Sequence, residues 1–120
     1  MALILAGSAV VPAPAGVDVT DPESISAGID QFEARHFVFP WLAHAAGTFV
    51  GALVAVLVAP LRQRAAAWTV VGFFLLGGIA NFFMIPAPVA FIVMDLAFAY
   101  LPMGALALLN HGRASSQRQP

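Results

Sequence analysis

VFPWLAHAAGTFVGALVAVLVAP, residues 38–60, decides the fold: 23 residues without one charged side chain. A helix rising 1.5 Å per residue crosses the hydrocarbon of a bilayer in about 20 apolar residues. The pattern repeats twice. Residues 66–85, AAWTVVGFFLLGGIANFFMI, carry no charge, and residues 89–109, VAFIVMDLAFAYLPMGALALL, carry only Asp95. Leu61-Arg62-Gln63-Arg64 and Pro86-Ala87-Pro88 punctuate these runs, and Asn110-His111-Gly112-Arg113 ends the last. Connections this short predict antiparallel neighbours.

The whole chain agrees. Its 120 residues are 61% hydrophobic and 9% charged, whereas soluble domains average roughly 25% charged residues. So few charges cannot keep an aqueous surface wet, and lipid is the natural solvent. A net charge of -1 argues against nucleic acid, because phosphate binding needs many cations. The chain has no Cys, which excludes disulfides, thiolate metal sites and Cys nucleophiles; all five basic residues are Arg, which excludes Schiff-base lysine chemistry.

Working outward, residues 1–16 open with an apolar run that ends at Pro12-Ala13-Pro14-Ala15-Gly16. It reads as a short or tilted first span continuing through the prolines, as the tail of a helix that starts upstream of Met1, or as a signal peptide, for which the positive n-region is missing. Residues 17–37 hold five of the six acidic residues, Asp18, Asp21, Glu23, Asp30 and Glu33. Thr20-Asp21-Pro22-Glu23 is a helix-start signal. Ile25, Ile29 and Phe32 follow at i, i+4 and i+7, so residues 22–35 read as an amphipathic surface helix, lying on the membrane or packed on its own bundle. The expected fold is therefore an all-α antiparallel transmembrane helical bundle: a single membrane domain with three full spans, a short N-terminal fourth, an amphipathic surface helix in the first extracytoplasmic loop, and a polar tail over residues 110–120. Arg62 and Arg64 in one connection, with Arg113 and Arg118 after the last span, put those segments and the C-terminus in the cytoplasm of a multi-pass bacterial inner-membrane protein. The acidic loop and Pro86-Ala87-Pro88 then face outward, with Trp41 near the outer boundary and Trp68 near the inner one.

Polar residues inside the spans are the candidates for function. Asp95 lies seven residues past Pro88, roughly 10 Å into the membrane at 1.5 Å per residue. An ionised carboxylate there costs about 2.5–3.5 kcal/mol on insertion scales, so it must be paired, protonated or hydrated. His44 and Asn81 enter by similar distances, and Thr48 lies one turn deeper on the His44 face. If their faces converge, His44, Asn81 and Asp95 form one hydrogen-bonded cluster. Such a cluster can staple the bundle, line a proton or small-solute path, or hold a ligand. His44 could serve as the single axial ligand of a metal or a (bacterio)chlorophyll, although no cofactor is otherwise implied. Gly47, Gly51 and Ala55 make a small-residue ridge, and Gly77-Gly78 allow another close approach, within the bundle or against a second subunit. Pro102 should kink the last helix or free a carbonyl. No HExxH, GxSxG, Walker or paired intramembrane Asp motif is present, so an enzyme is not expected.

Taken in order, Pro14-Ala15-Gly16-Val17-Asp18, Asp21-Pro22-Glu23, His44-Ala45-Ala46-Gly47-Thr48-Phe49-Val50-Gly51, and Gly77-Gly78-Ile79-Ala80-Asn81-Phe82-Phe83-Met84-Ile85-Pro86-Ala87-Pro88 resemble a group of small uncharacterised bacterial four-helix integral membrane proteins. The resemblance covers about residues 12–103. It implies four helices with an extracytoplasmic acidic loop after the first, and it implies no activity. In that group the first helix is longer, which implies either that Met1 is not the biological start or that this first helix is short. Two functional readings stay open: a non-catalytic accessory or scaffold subunit that packs on a larger membrane complex or on itself, and an oligomeric proton-coupled or small-solute transporter or channel built around Asp95, His44 and Asn81.

Overall fold

The structure, a computed structural model, describes the backbone of residues 2–116 and the side chains of residues 6–113. Met1 and Arg118, used above for the chain start and the orientation, lie outside the described residues. All regular secondary structure among the described residues is helical. Three helices are long and apolar enough to cross a membrane. The first is α3, Ala34–Val58, and the second is α4, Gln63–Met84. The third is continuous through α5 (Val89–Asp95), a π-helical segment (Leu96–Tyr100) and α6 (Leu101–Ser116). At 1.5 Å per residue these run to about 33 Å or more, against a hydrocarbon thickness of about 30 Å. The first two start four and three residues before their expected limits and stop two and one short of them, and the third starts at Val89 as expected and runs past residue 109 to Ser116, because flanking polar residues continue the helical hydrogen bonding.

Two short helices precede them. Helix α1, Ala2–Val10, covers about 14 Å, half of a crossing. It does not continue through the prolines. Val11 closes the last turn with a 2.7 Å bond to the Gly7 carbonyl, and the Pro12 nitrogen has no proton to add the next. The chain then turns at Gly16, whose φ of 84° suits a residue without a Cβ. The helix expected over residues 22–35 is two pieces: α2, Pro22–Ala27, and a 3₁₀ turn, Ile29–Gln31. The break falls at Gly28, where a Cβ would lie 2.5 Å from the Val17 side chain. The cap of α2 is Asp21 rather than Thr20. The Asp21 carboxylate accepts from Glu23 N–H at 3.0 Å, while the Thr20 hydroxyl bonds Asp18 at 2.7 Å. Ile25, Ile29 and Phe32 are half-buried and turn toward the bundle, lining a cavity with Phe37 and Phe91.

The long helices pack on one another through small residues. A Cβ on Gly47 would meet Phe74 at 3.2 Å, and one on Gly51 would meet Val70 at 3.1 Å, so position numbers rise along α3 as those of their α4 partners fall. Gly104 of α6 sits against Val71, and Gly78 of α4 sits under Tyr100. Gln63 at the start of α4 donates to His111 Nε2 of α6 at 2.8 Å. The buried hydrophobic core is Ala45, Ala52, Val56, Ala67, Val71, Ala99, Tyr100 and Ala107. Such small side chains let backbones approach closely, which is the main source of helix cohesion where lipid offers no hydrophobic drive. At the loop end, α1 rests on α3 with Gly7 against Phe39. His36 fixes that end: its Nδ1 accepts from Glu33 N–H at 2.9 Å, and its Nε2 donates to the Pro12 carbonyl at 3.2 Å.

Candidate functional site

Asp95, the last residue of α5, is fully buried. Its carboxylate accepts from His44 Nδ1 of α3, at 2.8 Å to Oδ2 and 3.0 Å to Oδ1. The Tyr100 hydroxyl donates to Oδ2 at 3.1 Å. Tyr100 reaches its partner only because the intervening turn is π-helical. Five residues of regular α-helix turn about 140° past a full revolution, which would carry Tyr100 to another face. An i→i+5 turn brings residues five apart nearly into line. Pro102 follows two residues after Tyr100 and cannot continue the ordinary bonding pattern, consistent with the distortion expected of it. The Tyr100 ring stacks on the His44 ring with centroids 5.8 Å apart and planes 27° apart. Gly78 completes the packing: no larger residue fits there while the tyrosine hydroxyl reaches Asp95.

The pairing sets the tautomer of a neutral His44. An acceptor carboxylate on Nδ1 assigns the proton to Nδ1, which leaves Nε2 of the neutral ring as an acceptor. Nε2 has no hydrogen-bond partner among the described residues, and the His44 side chain is 27% exposed. An oriented imidazole with one free lone pair can accept a proton or a hydroxyl hydrogen bond, or ligate a metal centre. Among the described residues no three His, Asp or Glu side chains are grouped to hold an ion.

The other expected members of the cluster take different positions. Thr48 is fully buried, but its hydroxyl donates to the His44 carbonyl of its own helix at 2.7 Å rather than to Asp95. Asn81 is half-buried and hydrogen-bonds neither His44 nor Asp95. It lines, with His44, a cavity of about 340 Å³ on one side and an open groove bounded by Phe73, Gly77 and Tyr100 on the other. The cavity lies at the loop end, between α1, the acidic loop and the ends of the long helices. Its wall includes a chain of ring contacts. Phe82 meets Phe91 edge-on, Phe91 packs tilted against Phe37 with centroids 4.8 Å apart, and Phe37 meets Phe32, which packs edge-on to His36.

Of the expected packing residues, Gly47, Gly51 and Gly78 face other helices and Ala55 is half-buried, whereas Gly77 is exposed with nothing within 4 Å of a Cβ. Gly104 packs as tightly but was not singled out. Trp41 is packed against the core with its Nε1 buried and unpartnered, unlike a belt residue whose N–H faces water. Tyr100 is not among the site residues expected from the sequence; the signal that could have found it is a hydroxyl inside an apolar run, two residues before a proline. Comparison with protein-family models, curated proteins and solved structures gives no match.

Proposed function

We propose that this chain is a non-catalytic subunit of a bacterial inner membrane, an antiparallel multi-pass bundle with its acidic loop outside and its C-terminus in the cytoplasm. It packs on a larger membrane complex or on further copies of itself. The observation that carries this reading is where the polar network ends. Asp95 and Thr48 are the only buried polar or charged residues described, and the remaining buried core, from Ala45 to Ala107, contributes only alanines, valines and Tyr100. Thr48 is spent on its own backbone. A proton arriving at His44 meets Asp95 and Tyr100 and then an apolar core with no further group to receive it. The centre therefore pins α3 to the α5–α6 helix rather than opening a path across it, which favours the subunit over the transporter.

The surface of α4 suits assembly. Phe73, Leu76, Gly77, Ala80, Phe83 and Met84 are all exposed, at helical spacing, on one stripe. Gly77 and Ala80 form a notch between bulky side chains, the shape that admits a neighbouring helix. Gly77→Leu tests this directly, because open space surrounds that position and the chain's own fold is untouched. The expected result is a wild-type circular-dichroism spectrum and wild-type unfolding, with loss of the higher-mass species in mild-detergent gel filtration. A wild-type protein recovered only as a monomer with no stoichiometric partner contradicts the subunit reading. Proton flux in liposomes that disappears in Asp95→Asn would restore the transporter.

A further inference from the structure

We propose that the loop-end cavity binds a ring-sized, membrane-soluble molecule carrying a phenolic hydroxyl, the chemistry of a quinol head group, with His44 Nε2 accepting that hydroxyl. The inference rests on the membrane placement and holds whether or not the chain assembles with partners.

Four features select this class. The first is size: about 340 Å³ lies at the lower end of the range typical of small-molecule sites, enough for a substituted benzene ring and too little to enclose a tetrapyrrole. The second is the wall. Phe32, Phe37, Phe82 and Phe91 give a planar aromatic guest faces and edges to pack on. The third is the polar complement. His36 also borders the cavity, but both of its ring nitrogens are engaged, with Glu33 and Pro12. His44 Nε2 and the Asn81 amide have no hydrogen-bond partner among the described residues, and both residues line this space. The fourth is the sign of the hydrogen bond. With Asp95 holding the Nδ1 proton, Nε2 of the neutral ring receives a donor and gives none, so in that form a hydroxyl is accepted where a carbonyl oxygen is not. Asn81 has both amide donor and acceptor and completes the recognition of a second oxygen on the ring.

The test uses the full chain in lipid nanodiscs under anaerobic conditions, with a decyl-substituted benzohydroquinone, its oxidised quinone and decyl alcohol as probes. Binding is read as quenching of Trp41, one turn from His44, in a Trp68→Phe background. The expected result is saturable binding of the hydroquinone at least tenfold tighter than that of the quinone or the alcohol. His44→Asn places an amide nitrogen where Nδ1 stood, keeping the bond to Asp95 while deleting Nε2, and it should weaken hydroquinone binding at least tenfold. Ala13→Trp fills the cavity from the loop without touching the centre and should abolish saturable binding at unchanged helicity. If His44→Asn fails to fold, Ala13→Trp decides the point alone. Equal affinities for hydroquinone and alcohol, equal affinities for hydroquinone and quinone, or wild-type binding in Ala13→Trp would each overturn the proposal.

Discussion

Gly78 and Tyr100 should be energetically coupled, and the sign and size of that coupling follow from their geometry. A Cβ on Gly78 would collide with the Tyr100 hydroxyl oxygen and lie 2.8 Å from Cζ. Gly78→Ala therefore does two things. It overpacks the α4–α6 contact, at about 1–3 kcal/mol, and it pushes the hydroxyl off Asp95. Tyr100→Phe removes only the hydroxyl. Side-chain hydrogen bonds inside membrane proteins average about 0.6 kcal/mol and reach about 1.7 kcal/mol, and relief of the clash returns part of the overpacking cost as well. In the double variant the bond is lost once rather than twice, and the atom that clashed worst is gone. The double variant should thus be less destabilised than the sum of the single variants by about 1.5 kcal/mol. Unfolding in mixed micelles by sodium dodecyl sulfate, followed by far-ultraviolet circular dichroism, measures all four corners of the cycle. Additivity within about 0.5 kcal/mol, the behaviour of independent sites, would refute the claim that Gly78 exists to let Tyr100 reach Asp95.

Two further outcomes concern the acidic loop. The Asp18 carboxyl is held below its usual value of 3.8 by the Thr20 hydroxyl and backbone N–H; a depressed folded value stabilises the turn above the unfolded pKa, and that contribution is lost as pH falls through the folded one. Carboxyl chemical shifts should show Asp18 titrating below the ordinary aspartate value, and an Asp18 midpoint at or above that value would contradict the turn. Asp21→Ala removes the cap of α2 at a cost of about 1 kcal/mol, and amide exchange should accelerate over residues 22–27 while α3 and α4 stay protected; uniform acceleration along the chain would show that the loop is not an independent unit.

Level along the bundle was legible from sequence, and azimuth was not. Counting from Trp41, Pro86 and Pro88 put His44, Asn81 and Asp95 at one level, and the structure brings His44 and Asp95 into contact. Asn81 shares that level but faces the cavity and groove, because a few tens of degrees of rotation about α4 are invisible in a run that is apolar on every side. Tyr100 escaped for a related reason. Its alignment with Asp95 depends on the π turn, and Pro102 announces a distortion without specifying which. Gly77 and Gly78 look equivalent in sequence, yet adjacent helical residues point about 100° apart, so one packs beneath Tyr100 while the other faces outward. The long apolar helices were readable to within a few residues at most ends. The loop was less so, since Gly28 breaks an otherwise consistent helical stripe to accommodate Val17, a contact no local pattern encodes.

The division of the bundle into two halves connects these points. Away from the loop end the helices meet through Gly51, Ala52, Ala67, Val71, Gly104 and Ala107, a close-packed seam with little room for anything else. At the loop end large rings, a buried carboxylate and a cavity replace that seam. If stapling were the whole role of the buried carboxylate, a hydroxyl opposite Asp95 would do it with a single polar atom. Histidine satisfies Asp95 with one nitrogen and has a second to spare. His44 lines the loop-end cavity, where the helices do not close on each other. Packing accounts for Asp95, Tyr100 and Gly78; it does not account for a histidine on α3, and the cavity beside that ring supplies the reason that packing lacks.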